Sequence, residues 1–380
     1  MRKFYSLLFT CLFLFAFTGT SHAEVGPGVI KIKTNKAIDK VIKMDIMIFK
    51  NVDSDGDVNT STPEEGVNIS FEGAEKYFMT STKVYLTVKA PEIVIHGDVY
   101  YFTIVNQGIT DIDVSQADKL GELRVNNNPL QSLNLPNRPN LKQLWASYCS
   151  DLSSVNLTGT DNLNSISLQG SRVASLDLAG KSLITNLNLG ENPNLNAIDV
   201  SNLPKLEELW VNGNGLTTLD VSGNPLLNHL ECSRNNLTAL DVSQNTELAF
   251  FACWGNKIEG QAMDNLIASL VEETDGATRE FCVYNKFYTQ NNTLTKAQAQ
   301  AVKARGWKPR QAKGTAEFFM WEDYEGSDVN TGIDGVKNHP AGADLWFDLQ
   351  GRRTTKPVQP GVYIHNGKKI LIGRSSGITE

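Results

Sequence analysis

The feature that most limits how this chain can fold is a period. From Leu206, apolar residues fall at Leu209 and Val211, followed by Asn214, Leu216 and the run Leu219-Asp220-Val221-Ser222. The same order returns from Leu227 through Leu230, Cys232, Asn235 and Leu237 to Leu240-Asp241-Val242-Ser243. Counting in both directions gives eight units, which open at Val99, Leu120, Leu141, Leu163, Ile184, Leu206, Leu227 and Leu248, in steps of 21 or 22 residues. A unit this short cannot bury its own apolar face. Only stacked units share a continuous core, so residues 97–260 are expected to form a solenoid.

Inside each unit, alternating apolar residues such as Leu209 and Val211 give a short strand. Stacked strands lie ~4.8 Å apart and build a parallel sheet on the inner side of an arc. The ninth position holds Gln107, Asn128, Cys149, Ser171, Asn192, Asn214, Asn235 and Asn256. Asn suits a buried turn because its amide can satisfy backbone groups of adjacent turns, whereas Cys and Ser are weaker stand-ins. Cys232 and Cys253 share the sixth position with Ile104, Val125 and Val211, so they read as buried thiols rather than a disulfide. The absence of a C-x-x-C pair argues against zinc.

These residues match the consensus L-x-x-L-x-L-x-x-N/C-x-L. Over roughly 97–260 the chain resembles bacterial leucine-rich-repeat surface proteins of the internalin-like kind. The resemblance implies an α/β leucine-rich-repeat solenoid with its parallel sheet on the concave face. It leaves the ligand open.

The flanks are read from their own patterns. Residues 1–23 begin with Arg2 and Lys3, continue through an apolar run from Leu7 to Phe17 and end at Ser21-His22-Ala23. That is the form of a signal peptide. After its cleavage no segment is long and apolar enough to span a bilayer. Residues 24–96 hold strand-like runs at 29–32, 45–49 and 84–88 and are expected to form an N-terminal β cap. Residues 261–326 are expected to form an α/β C-terminal cap. Met263, Leu266, Ile267, Leu270 and Val271 recur at helical spacing, and Thr295-x-x-Gln298 is a capping box opening a second helix that Gly306 stops. Strand-like runs lie at 281–284 and 317–321. Residues 327–343 read as a linker and 344–380 as a small β tail with an Asn366-Gly367 hairpin turn. The tail motifs Asp348-Leu349-Gln350-Gly351-Arg352 and Pro360-Gly361-Val362-Tyr363-Ile364, with Asn366-Gly367-Lys368-Lys369, resemble the C-terminal sorting domain of type IX secretion cargo. That resemblance implies placement at the surface of a Gram-negative cell.

No catalytic constellation appears. His96, His229, His339 and His365 show no metal-ligand spacing, and the nucleophile-elbow, H-E-x-x-H and phosphate-loop motifs are missing. No enzymatic activity, metal or cofactor is expected. Beyond residue 23 the chain carries 33 basic against 42 acidic side chains, which argues against a nucleic-acid partner. The Asn51–Gly56 run imitates half of a calcium loop, but the twelfth position is Thr62 where a Glu is needed, so it reads as a solvated loop. A column of Asp113, Asn134, Asn156, Asp177, Asp199, Asp220 and Asp241 reads as turn caps rather than a cation ladder.

The functional signal lies on the concave face. Positions 3, 5 and 7 of each unit are expected to point away from the core. They place Tyr101, Arg124, Trp145, Glu208, Trp210, His229, Glu231, Phe250 and Trp254 there, with Tyr148 beside Trp145. Exposed aromatics are costly unless they meet a partner. The expected partner is a protein, such as a host or cell-surface protein. A glycan stacked on the Trp residues is the alternative. A third outcome, that Phe250 and Trp254 merely pack on the C-terminal cap, stays open.

Overall fold

The computed structural model describes residues 27–52, 58–61, 69–274, 276–288, 292–314 and 319–327, and four short strands beyond them. The signal peptide, most of the calcium-like run, the linker from residue 328 on and the Asn366-Gly367 turn lie outside the described residues.

Each repeat contributes one short strand to the inner face. Those of the second to eighth units, from Glu122–Arg124 to Phe250–Ala252, are three residues long. Their middle residues, Leu123, Leu144, Ile166, Leu187, Leu209, Leu230 and Phe251, are sealed in the core. Pairing is parallel and in register from turn to turn, so Tyr101, Glu122, Gln143, Ser165, Asn186, Glu208, His229 and Phe250 form one file across the sheet. The fold is a leucine-rich-repeat solenoid.

Asparagine closes each turn. The Asn235 amide nitrogen donates to the carbonyls of Val211 and Cys232 at 2.8 and 3.0 Å, while its oxygen accepts from Leu216 N–H at 3.0 Å. One side chain thereby satisfies buried backbone groups of two turns. Asn128, Asn192, Asn214 and Asn256 act alike. At the same position Cys149 reaches Val125 O at 3.3 Å and Ser171 reaches Ala146 O at 3.4 Å. A second ladder, on the opposite side of the turns, uses Asn224 and Asn245, each bonded to two backbone carbonyls at 2.9 Å. The Asp column caps turns on the outer side. Asp199, Asp220 and Asp241 each accept from the N–H two residues on at 2.8–2.9 Å, and the Ser hydrogen bonds hold the Asp199 and Asp220 carboxyls below the usual carboxylate range.

Both ends of the stack are closed. At the N-terminal end Val41–Val52 pairs antiparallel with the first repeat strand, Val99–Thr103, and is followed outward by Lys83–Val88 and Ala74–Thr80. Alternation buries Ile42, Met44, Ile46 and Ile48 on one face, against Ile30, Ile32, Ile93 and Ile95 of a second sheet. At the other end the parallel sheet does not stop at the eighth unit. Arg279–Tyr284 pairs parallel with Phe250–Ala252, and Trp307–Gly314 pairs parallel with Arg279–Tyr284. Helices Gln261–Ser269 and Lys296–Ala304 precede these strands, the second opened by the Thr295–Gln298 capping box. The α/β C-terminal cap thus adds two longer, helix-bearing turns to the same sheet. Pro309 sits inside the second of these strands, opposite Phe281. Phe319–Asp323 then closes the edge antiparallel, two residues later than the sequence places that strand. Asn292 carries the asparagine ladder into this region, donating to Cys253 O at 2.8 Å and accepting from Ile258 N–H at 3.0 Å. The tail strands Trp346–Phe347, Arg353–Thr354, Gly361–His365 and Lys368–Ile372 form a four-stranded antiparallel sheet of their own.

Candidate binding face

Only the two outer residues of each strand look out from the sheet, and they carry the face. In the first three units they form a stack. The Arg124 guanidinium lies 4.0 Å from the Trp145 ring centre and 5.5 Å from that of Tyr101, with Glu122 at 3.5 Å. Stacking holds the cation in place with its polar edge still open to a partner. Tyr148, just past the strand, is 53% exposed. Its φ is 58°, and its ring lies over Gly170, where any Cβ would fall 2.6 Å from it. Two turns of small polar side chains, Ser165 and Ser167 then Asn186 and Asn188, separate this stack from the next aromatic group.

That second group is continuous too. The Trp210 and His229 ring centres are 4.9 Å apart, and His229 stacks on Phe250 at 4.5 Å. Burial lowers the His229 pKa, so the ring is neutral at pH 7. Glu208 is held by the Asn186 amide at 2.7 Å.

Beside these rings the sheet opens into a cleft of about 450 Å³, lined by Trp210, Glu231, Ser233, Arg234, Trp254, Tyr288 and Trp321, among others. Burial pushes the Glu231 carboxyl up to about 7, against hydrogen bonds from Ser233 that lower it. Arg234 pairs with Glu191 from two turns away and lies over the rings of Trp254 and Tyr288 at 5.7 and 5.8 Å. The pair passes over Gly213, where a side chain would come within 2.7 Å of the Glu191 carboxylate.

The ten residues singled out from sequence therefore separate. Tyr101, Arg124, Trp145, Glu208, Trp210, His229, Glu231 and Phe250 are half-buried on the face, and Tyr148 stands at its rim. Trp254 does not stand open. It is 5% exposed, packed against Ala252, Cys282 and Trp321 and 4.8 Å from the Tyr288 ring. The alternation argument fails there because the strand is only three residues long. By position 7 the chain has already turned off the sheet, and Ser147 and Ser233 are buried at that position as well. Phe250 bridges the two environments, touching His229 on one side and the Trp254 cluster on the other.

Glu191, Arg234, Tyr288 and Trp321 were missed. The first two had a signal, since they are charged residues in a turn position held elsewhere by Asn, Gly and Tyr148. The others fall outside the repeat. Cys232, Cys253 and Cys282 are free, buried thiols with pKa values raised far above normal by desolvation. Among the described residues no group of three His, Cys, Asp or Glu could hold a metal ion, and no helix is long and apolar enough to cross a membrane.

No protein-family model and no curated protein matches the chain. Solved structures that resemble it include the functional domain of InlJ from Listeria monocytogenes, described as including a cysteine ladder, at 23% identity and a TM-score of 0.39 over 57% of this chain. A leucine-rich-repeat protein from Leptospira interrogans matches at 16% identity and a TM-score of 0.37 over 56% of this chain. An internalin, InlF, from Listeria monocytogenes matches at 18% identity and a TM-score of 0.37 over 55%. The chain spans 50% of the first of these and 66% of each of the other two.

Proposed function

We propose that this is an exported, non-enzymatic binding protein that recognises a protein partner through its concave face. The supporting observation is the Tyr101–Arg124–Trp145 stack on the uncovered side of a parallel sheet. Parallel sheets are normally covered on both faces. Here one side is the core and the other carries pre-ordered Trp, Tyr and Arg, the residue types that dominate binding hot spots. A rigid face of this kind limits the ordering cost of association. Export follows from the form of residues 1–23, and surface sorting from the tail motifs.

The test is binding of the protein to a panel of purified cell-surface proteins and glycans, beside an Arg124→Ala/Trp145→Ala variant whose thermal transition matches the parent. The expected result is a protein ligand whose affinity falls at least about 30-fold in the variant, since one hot spot contributes ~2 kcal/mol or more. A ligand bound equally by both forms would move the site off this face. A glycan ligand lost with Trp145 would keep the face and change the partner class.

A further inference from the structure

The cleft beside Trp210 holds a carboxylate with no counter-charge. Glu231 is bonded to the Ser233 hydroxyl, and among the described residues no Lys, Arg or His pairs with it. The cation lining the same cleft, Arg234, is already committed to Glu191. An unpaired, enclosed carboxylate is unfavourable in the free protein, and an incoming cation would relieve that cost. The walls beside it are the rings of Trp210 and Trp254, which suit the methylene stem and the ammonium of a lysine. A volume of about 450 Å³ accepts such a side chain, and pockets of this size commonly hold small ligands.

We propose that this cleft receives a lysine side chain of the protein partner, its ammonium against Glu231 and its stem along Trp210 and Trp254. This assignment rests on the concave face being a protein-binding surface and names the partner group seated there.

Binding depends on pH through Glu231. The other titratable groups around it do not supply that dependence between pH 6 and 8. Burial favours the neutral form of His229 on the same strand, and the buried thiols Cys232, Cys253 and Cys282 titrate far above this range. Arg310, three strands along the same register, is paired with Glu280 and Asp323. Glu208 on the adjacent strand is bonded to Asn186, and Arg234 to Glu191.

The experiment titrates the full chain with Nα-acetyl-lysine amide and follows tryptophan indole NMR signals. The comparisons are Nα-acetyl-norleucine amide, which keeps the stem without the charge, and methyl glucoside. The lysine probe is expected to bind with a Kd on the order of 1 mM and the norleucine probe at least about tenfold more weakly. Binding at pH 8 is expected to be about tenfold tighter than at pH 6, as a carboxyl titrating near 7 becomes ionised. Glu231→Gln removes both the charge preference and the pH dependence. Equal binding of the two amides, binding of the glucoside alone, or a pH dependence that survives in Glu231→Gln overturns the assignment. Loss of the cleft assignment while Arg124→Ala/Trp145→Ala still abolishes partner binding leaves the reading of the face standing.

Discussion

Position 8 of every turn is left-handed. Asn106, Asn127, Tyr148, Gly170, Glu191, Gly213, Arg234 and Gly255 all have φ between 53° and 69°. Asn and Gly tolerate this, whereas Tyr, Glu and Arg carry ~1–2 kcal/mol of strain each. The three strained residues are the ones whose side chains overlook the concave face, which places the strain beside the candidate site. Glu231 is the other residue held at a cost. Its unfolded carboxyl titrates near 4.5 and its folded one near 7, so the folded state binds the extra proton between those values. Its contribution is therefore full below pH 4.5 and is lost as pH rises through about 7. Glu231→Gln is expected to stabilise the protein by up to about 3 kcal/mol at pH 8 and to change little at pH 4, read from urea unfolding at both pH values. A gain of equal size at both would show that the carboxyl is not buried in its charged form. At this scale the sequence revealed Arg124, Trp145 and Trp210 by position alone. It left Trp254 between the open face and the C-terminal cap, because strand alternation does not extend past the end of a three-residue strand.

Among elements, the turn is the unit of stability. Asn235→Ala would leave Leu216 N–H without its acceptor and take one of the two asparagine donors from Val211 O and from Cys232 O. A loss of about 3 kcal/mol or more is expected, against about 0.5–1 kcal/mol for Asp199→Ala, whose turn is solvent-exposed. Equal losses in denaturant midpoint would contradict the ladder. The asparagine ladder was legible because its residues recur with the repeat. The C-terminal helices were legible from the Thr295 capping box and the spacing of Met263, Leu266 and Ile267. Their joining to the same sheet was not. Phe250 to Glu280 spans 30 residues and Glu280 to Lys308 spans 28, so inserted helices hide the register that the backbone keeps. Asn292 is hidden for the same reason, 36 residues after Asn256.

Across the whole molecule, one continuous core runs from Ile30 in the N-terminal cap to Trp307 in the last parallel strand. Antiparallel strands close both ends, Val41–Val52 at one and Phe319–Asp323 at the other, so the repeat sheet presents no bare parallel edge to another chain. What remains open is the inner face, with one aromatic–cation stack near its start and a cleft near its end. The central claim is that this face is where a partner sits. Amide hydrogen exchange, measured on the protein alone and in complex with its protein ligand, tests it most directly. The account expects slowed exchange across Val99–Thr103, Glu122–Arg124, Gln143–Trp145 and the turns through Tyr148 and Arg234, with the outer turns at Asp199 and Asp220 unchanged. Protection confined to those outer turns or to the N-terminal cap, with the inner strands unchanged, would contradict it.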